Sequence, residues 1–247
     1  MSSKLRFTIV LSSICAISGI GVAGIYMLTR DRIHEQQEKV KEEALPVVLP
    51  EASGFVEAAV KCPEHGKWIG LTPENRSRGE VKCPWGGETL NLEDLPEDAD
   101  IIYAGYAGTD VEAQPVGYAC IGEAQGYSSR LKVMVGVSVD FSRITGIKIV
   151  FQKETPGLGA RIEELATKET LWDKLQGKGP RLAPEQARPW FQQQFTDLAV
   201  ERIKLKKTEE EEGIDGITGA TITSQAVVDA VKEAVKKISE ALGAEDP

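Results

Sequence analysis

The sequence is short of the clusters from which redox and catalytic sites are commonly built. Its four cysteines, at positions 15, 62, 83 and 120, lack the close spacing that holds an iron–sulfur cluster. No Gly-x-Gly-x-x-Gly run follows a strand pattern, which argues against a nicotinamide site; Gly19, Gly21 and Gly24 fall inside an uncharged apolar stretch instead. Basic charge is outnumbered, with 29 Lys and Arg against 38 Asp and Glu, and the one dense charge run, residues 209–212, is acidic. A net charge of −9 without a basic face excludes nucleic acid as the expected partner. What remains is enough for a core: 247 residues, 41% of them hydrophobic, make one generous domain or two small ones.

Residues 7–28 carry no charge and are flanked by Lys4 and Arg6 before and Arg30 and Arg32 after. As a helix this run spans about 33 Å, enough for a bilayer core and longer than the apolar region of a cleaved signal peptide. Residues 1–30 therefore read as an uncleaved transmembrane signal anchor. Gly19, Gly21 and Gly24 with Ala16 and Ala23 give it a slim face suited to a neighbouring helix as well as to lipid. The flanking charges are nearly balanced and do not set its orientation.

Residues 31–50 form a charged juxtamembrane neck in which Pro46 and Pro50 are expected to stop any helix. Residues 51–100 form a cysteine-containing insert. Within it, Cys62-Pro-Glu-His65 and Cys83-Pro-Trp-Gly86 read like two knuckles of a zinc ribbon, but Gly86 stands where a fourth ligand belongs. A Cys62–Cys83 disulfide is favoured there, ahead of free thiols and of a metal site.

From Ile101 the pattern turns to strands. Residues 116–123 and 131–140 are β-rich, and in the second Val133, Val135, Val137 and Val139 alternate with Lys132, Met134, Gly136 and Ser138, which predicts one core face. Phe141 and Ser142 make a turn into a return strand with Ile147, Ile149 and Phe151 inward. Glu154-Thr155-Pro156-Gly157-Leu158-Gly159 then reads as a turn. Residues 171–198 read as an amphipathic helix, with Trp190, Phe191, Phe195 and Leu198 packing on the sheet. Cys120 is expected to be a small buried hydrophobe.

The richest stretch is Asp215-Gly216-Ile217-Thr218-Gly219-Ala220-Thr221, followed by Ile222, Thr223 and Ser224. Beyond it Val227, Val231, Ala234, Val235, Ile238, Ala241 and Leu242 recur at helical spacing, giving one buried face. Thr223 or Ser224 is the expected N-cap, and the free N–H groups of the first turn make a natural phosphate site beside Thr221. The architecture predicted is α+β: one N-terminal membrane helix, then a largely antiparallel sheet packed by helices.

Asp215-x-x-Thr218-Gly219-Ala220-Thr221 resembles the flavinylation motif of the FMN-binding domain family, and residues 214–231 are similar to the G subunit of Rnf-type electron-transport complexes. The C subunit of the sodium-pumping NADH:quinone oxidoreductase is a sibling in the same family, and a non-redox membrane-tethered scaffold is the alternative of another class. The resemblance covers roughly residues 116–235 and the anchor; the Cys62 to Cys83 excursion has no counterpart in it. It implies an FMN-binding domain over residues 101–247, with FMN joined to Thr221 by a phosphoester that a separate flavin transferase makes. It adds Thr218, Gly219, Ala220, Thr223 and Ser224 to the cofactor site. Glu154, Thr155, Gly157, Leu158 and Gly159 join them, because Glu-Thr-Pro-Gly-Leu-Gly is a hallmark of the family. Asp215 is either a recognition feature for the transferase or a turn-starting residue. The implied role is electron relay in an ion-translocating ferredoxin:NAD complex. Other subunits are then partners, and the main domain lies on the outer side of the cell membrane.

Overall fold

The computed structural model describes residues 3–92, 95–96, 99–108, 114–165, 188–208 and 211–243. It divides into two compact units, residues 1–42 and 43–247. The first unit is helical and belongs to α1 (Ser3–Val48), in which Phe7–Arg30 is long and apolar enough to cross a membrane. Its large apolar side chains, from Phe7 to Leu28, are all exposed.

The second unit is built on a seven-stranded sheet, antiparallel throughout, in the order β2-β1-β5-β6-β7-β8-β9. Its strands are β1 (Gly54–Lys61), β2 (Trp68–Gly70), β5 (Ile101–Tyr106), β6 (Gly117–Gln125), β7 (Arg130–Ser138), β8 (Arg143–Phe151) and β9 (Leu198–Ala199). Short α2 (Pro73–Arg78) leads to β3 (Glu80–Lys82) and β4 (Thr89–Asn91), which pair only with each other. Later come α3 (Trp190–Gln193) and the long α4 (Thr221–Leu242). The expected boundary near residue 100 is not a domain boundary. β1 and β2 precede it, yet β1 hydrogen-bonds along β5 in the main sheet.

On one sheet face α4 buries Val227, Val231, Ala234 and Ile238 against Leu131, Val133, Val135 and Val137. Full burial of each such side chain contributes about 1.5–3 kcal/mol, so this face dominates the stability of the unit. The expected alternation is present in β7 at Val133, Val135 and Val137, whereas Val139 lies past the strand's end and is exposed; the second face of β7 is also covered. Met134 and Ala119 are buried under Ala44, Leu45, Val48, Leu49 and Ala52. The chain approaches so closely here that a Cβ on Gly136 would lie 2.3 Å from the Val48 carbonyl oxygen. Helix α1 thus runs through Pro46 instead of stopping before it, because its last turn is held by this apolar contact and by the Thr145 hydroxyl donating to Val48 O at 2.5 Å.

Phe151 departs from its expected inward position and is 37% exposed. A register shift between Lys132 and Val133 pairs Val133 with Ile149 but Lys132 with Phe151, so the last residue of β8 turns outward. Most of the predicted 171–198 helix lies outside the described residues. Within them, Phe191 and Phe195 are fully buried in the main core, and Leu198 sits in a strand. Burial pushes the Cys120 thiol up to about 12, as befits an inert core cysteine.

Candidate functional site

Three segments far apart in sequence converge on one carboxylate. Glu154 is 6% exposed. Its Oε1 accepts from the Ser128 and Ser129 backbone N–H groups at 3.0 and 2.9 Å, and from the Ser129 hydroxyl at 3.3 Å. The Thr223 hydroxyl donates to its Oε2 at 2.7 Å. Burial by itself would raise this carboxyl, but the Thr223 hydroxyl and the donors on Ser129 and Ser128 hold it below the usual carboxylate range. Glu154 therefore works as a fixed anion that joins the turn before β7, the turn after β8 and the first turn of α4.

Glycine is required on both sides of that anion. A Cβ on Gly126 would stand 2.6 Å from Oε1, and one on Gly159 would stand 2.6 Å from Oε2 and 2.7 Å from the Thr223 hydroxyl. Thr155 takes part through its hydroxyl, 3.2 Å from that of Ser128, and its carbonyl accepts from the Leu158 and Ala160 N–H groups. Leu158 is 48% exposed and lies over the motif loop, with a hypothetical Gly219 Cβ only 3.6 Å from its Cδ2.

The motif loop is anchored at both ends. Asp215 N–H donates to Gln194 Oε1 at 2.8 Å, Gln194 Nε2 donates to Asp215 O at 3.2 Å, and the Asp215 carboxylate pairs with Lys206 at 3.0 Å. Asp215 is exposed, its backbone held by Gln194 and its carboxylate by Lys206. Ile214 and Ile217 plug the core, and Gly219 turns the chain at φ 81°. Helix α4 begins at Thr221, earlier than the apolar periodicity places it, with Ala220 at the N-cap and no side-chain cap. Neither Thr223 nor Ser224 is the cap. Both are buried inside the first turn, where Ser224 Oγ donates to Ala220 O and accepts from the Ile217 N–H, each at 3.0 Å.

This arrangement leaves Thr221 exposed at the head of a 22-residue helix whose first-turn N–H groups have no side-chain partner among the described residues. Free N–H groups and the positive end of the helix dipole suit a phosphate, and Thr218 and Gly219 beside it are exposed as well. Residues present therefore fit a phosphate-anchored cofactor: a reachable hydroxyl, an uncapped helix start, and exposed apolar side chains at Leu158, Ile222 and Tyr127. Ser128, Ser129 and Gln194 were not singled out from the sequence. They act through backbone, hydroxyl and amide groups on partners at least 21 residues away, and no local pattern reports that.

A second polar cluster lies in the insert. The structure brings Cys62 and Cys83 together, as expected, but both are free thiols with their sulfurs 3.6 Å apart, well beyond the roughly 2.05 Å of a bonded pair. His65 Nδ1 stands 3.5 Å from each sulfur, so the three side chains form a nearly equilateral triangle of donor atoms.

Residues 126–236 match the FMN-binding domain family. The sequence is 28% identical to the G subunit of the ion-translocating oxidoreductase complex of Methanosarcina acetivorans over 242 residues, 97% of this chain and 98% of that one. It is 36% identical to the same component in Aliivibrio fischeri over 237 residues, 95% and 90% of the two chains. The G subunit of the Na(+)-translocating ferredoxin:NAD(+) oxidoreductase complex of Acetobacterium woodii is 27% identical over 233 residues, 94% and 89%. Among solved structures, NqrC of Shewanella oneidensis is similar with a TM-score of 0.49 at 14% identity, covering 84% of this chain and 99% of that one. With 36% identity along nearly its whole length and the motif loop inside the matched domain, the chain belongs to the family of G subunits of ion-translocating oxidoreductase complexes and carries an FMN-binding domain.

Proposed function

We propose that Thr221 carries FMN through a phosphoester bond and that the chain is a single-pass membrane subunit relaying electrons within an ion-translocating ferredoxin:NAD oxidoreductase. The observation that carries this reading is the exposed Thr221 hydroxyl at the uncapped start of α4, beside the turn held by Glu154. Bound there, FMN supplies one- and two-electron chemistry.

The chain's own residues supply position. A threonine hydroxyl is a weak nucleophile by itself, so Thr221 is the substrate of a flavin transferase and afterwards an anchor. The first-turn N–H groups of α4 would hold the phosphate and offset its charge. Glu154 holds Thr223 and thereby the register of that first turn, while Gly157 turns the neighbouring chain at φ 77° and Gly159 lets it pass close to Glu154 and Thr223. An attachment made through the phosphate alone leaves the ring to non-covalent contacts at an exposed edge, which is what exchange with a neighbouring redox centre requires. The apolar helix Phe7–Arg30 tethers the protein in the cell membrane, with the main unit outside the cytoplasm and other subunits and lipid around the helix.

Intact-mass analysis of the full chain, with and without a co-expressed flavin transferase, tests the assignment. An FMN phosphoryl adduct on the wild-type chain only when the transferase is present, and never on Thr221→Ala, is the expected result. Wild type without adduct, or Thr221→Ala with it, overturns it.

A further inference from the structure

We infer that Cys62, His65 and Cys83 form a binding site for a divalent cation of the zinc class, with three protein donors and the fourth position left to solvent or an added ligand. The donor triangle has sides of 3.6 Å between the sulfurs and 3.5 Å from His65 Nδ1 to each sulfur. Tetrahedral zinc with Zn–S near 2.3 Å and Zn–N near 2.0–2.1 Å separates two sulfurs by about 3.8 Å and sulfur from nitrogen by about 3.6 Å. The triangle therefore has the dimensions of one face of that tetrahedron. Two thiolates and an imidazole also select this class of cation over magnesium or calcium, which take oxygen donors.

The backbone around the cluster is a duplicated knuckle. Cys62 N–H donates to Lys67 O at 2.9 Å and Gly66 N–H to Cys62 O at 2.8 Å; Cys83 N–H donates to Glu88 O at 2.7 Å and Gly87 N–H to Cys83 O at 2.9 Å. Gly66 and Gly87 close the two turns at φ 63° and 75°. The two loops thus correspond residue for residue, with His65 of the first matching Gly86 of the second. A Cβ at Gly86 would lie 2.6 Å from His65 Cε1, so the imidazole fills the room a fourth side chain would need and the last coordination position stays open.

The two cysteines are part of the lobe's own core: they are buried with Val60, Ile69, Leu71 and Val81, Leu90, Leu92, Leu95 and Ile101 pack against them, and β1 and β2 join this cluster to the main sheet.

The test uses the full-length chain in detergent, titrated with Co²⁺ and then with Zn²⁺. One equivalent of Co²⁺ should bind with a thiolate charge-transfer band and tetrahedral d–d bands, and Zn²⁺ should displace it. Zn²⁺ should protect the Cys62 and Cys83 thiols from alkylation, and a chelator should expose them again. Cys62→Ser and Cys83→Ser should weaken binding by more than the roughly 10–100-fold that loss of an outer-shell partner costs. His65 is exposed, so His65→Ala keeps the fold and should also abolish the tetrahedral Co²⁺ spectrum. Thr221→Ala should bind metal like wild type, which separates this site from the flavin assignment. Co²⁺ bound without thiolate charge transfer, binding indifferent to His65→Ala, or a Cys62–Cys83 disulfide mapped in the native protein would each overturn the proposal.

Discussion

The Glu154 cluster and the Cys62–Cys83 lobe both pin turns together, yet they rely on different physics. Around Glu154 a single buried anion gathers hydrogen bonds from two other segments, and behind it stands the large core of α4 and the sheet. In the lobe, four buried aliphatic side chains surround two thiols, and the polar groups that meet there have no other buried partner among the described residues. The contrast teaches where precision comes from. A site resting on a deep core can leave its reactive hydroxyl exposed without losing position, whereas a thin lobe needs its own cross-link to hold two turns in register.

The sharpest way to break the comparison is at Thr221. Thr221→Ala should abolish covalent flavin while shifting stability by less than about 0.5 kcal/mol, as for an exposed position, measured by in-gel flavin fluorescence and by urea unfolding of the same samples. A large loss of stability would mean that the hydroxyl also holds the fold.

Next in size is the anion itself. Glu154→Gln should cost about 1–3 kcal/mol, because buried donors on Ser128, Ser129 and Thr223 lose a charged acceptor. The sign of its pH dependence is fixed. A carboxyl lowered in the folded state contributes stability above its unfolded pKa and loses it as pH falls through the folded value. Urea midpoints should therefore drop more steeply on acidification for wild type than for Glu154→Gln, and parallel curves would refute the assignment.

A third substitution probes the link between the two regions. Lys237 Nζ donates to Asp100 Oδ1 at 2.6 Å and to Ile121 O at 3.1 Å, and Lys61, next to Cys62, reaches Asp100 Oδ2 at 3.4 Å. Burial works against the Lys237 charge, but Asp100 more than restores it and raises the amine, so its contribution is present below the ordinary lysine value and fades as pH rises through the folded one. Lys237→Ala should cost about 1–2 kcal/mol and loosen β1 beside the knuckle, read by hydrogen exchange at Lys61 and Cys62.

The smallest effect is expected at the lobe's helix cap. Thr72 accepts from Asn75 N–H at 3.3 Å, and Thr72→Ala should cost about 0.5–1 kcal/mol, confined to exchange within α2 and β3. A comparable change at the Glu154 turns would show that the two regions unfold as one.

Local pattern made much of this legible. The 3.6-residue period of residues 227–242, the alternation in β7, the uncharged run at the N-terminus and the motif loop each follow from the periodicity or composition of neighbouring residues. Pattern was silent where long-range packing decides. The start of α4 slipped from the expected cap to Thr221 because Thr223 and Ser224 find better partners in Glu154 and Ile217 than at the helix end.

By itself, then, the sequence determined the long apolar helix at the N-terminus, the strands β6, β7 and β8, and the buried face of α4. All of these depend on residues a few positions apart. The tertiary structure decided that Glu154 and Thr223, 69 residues apart, share a hydrogen bond, that residues 44–49 cover the second sheet face, and that an imidazole joins the two thiols expected to bond in one triangle of donors. Those outcomes depend on which turns the sheet order brings together, and no local period records the order of strands in a sheet.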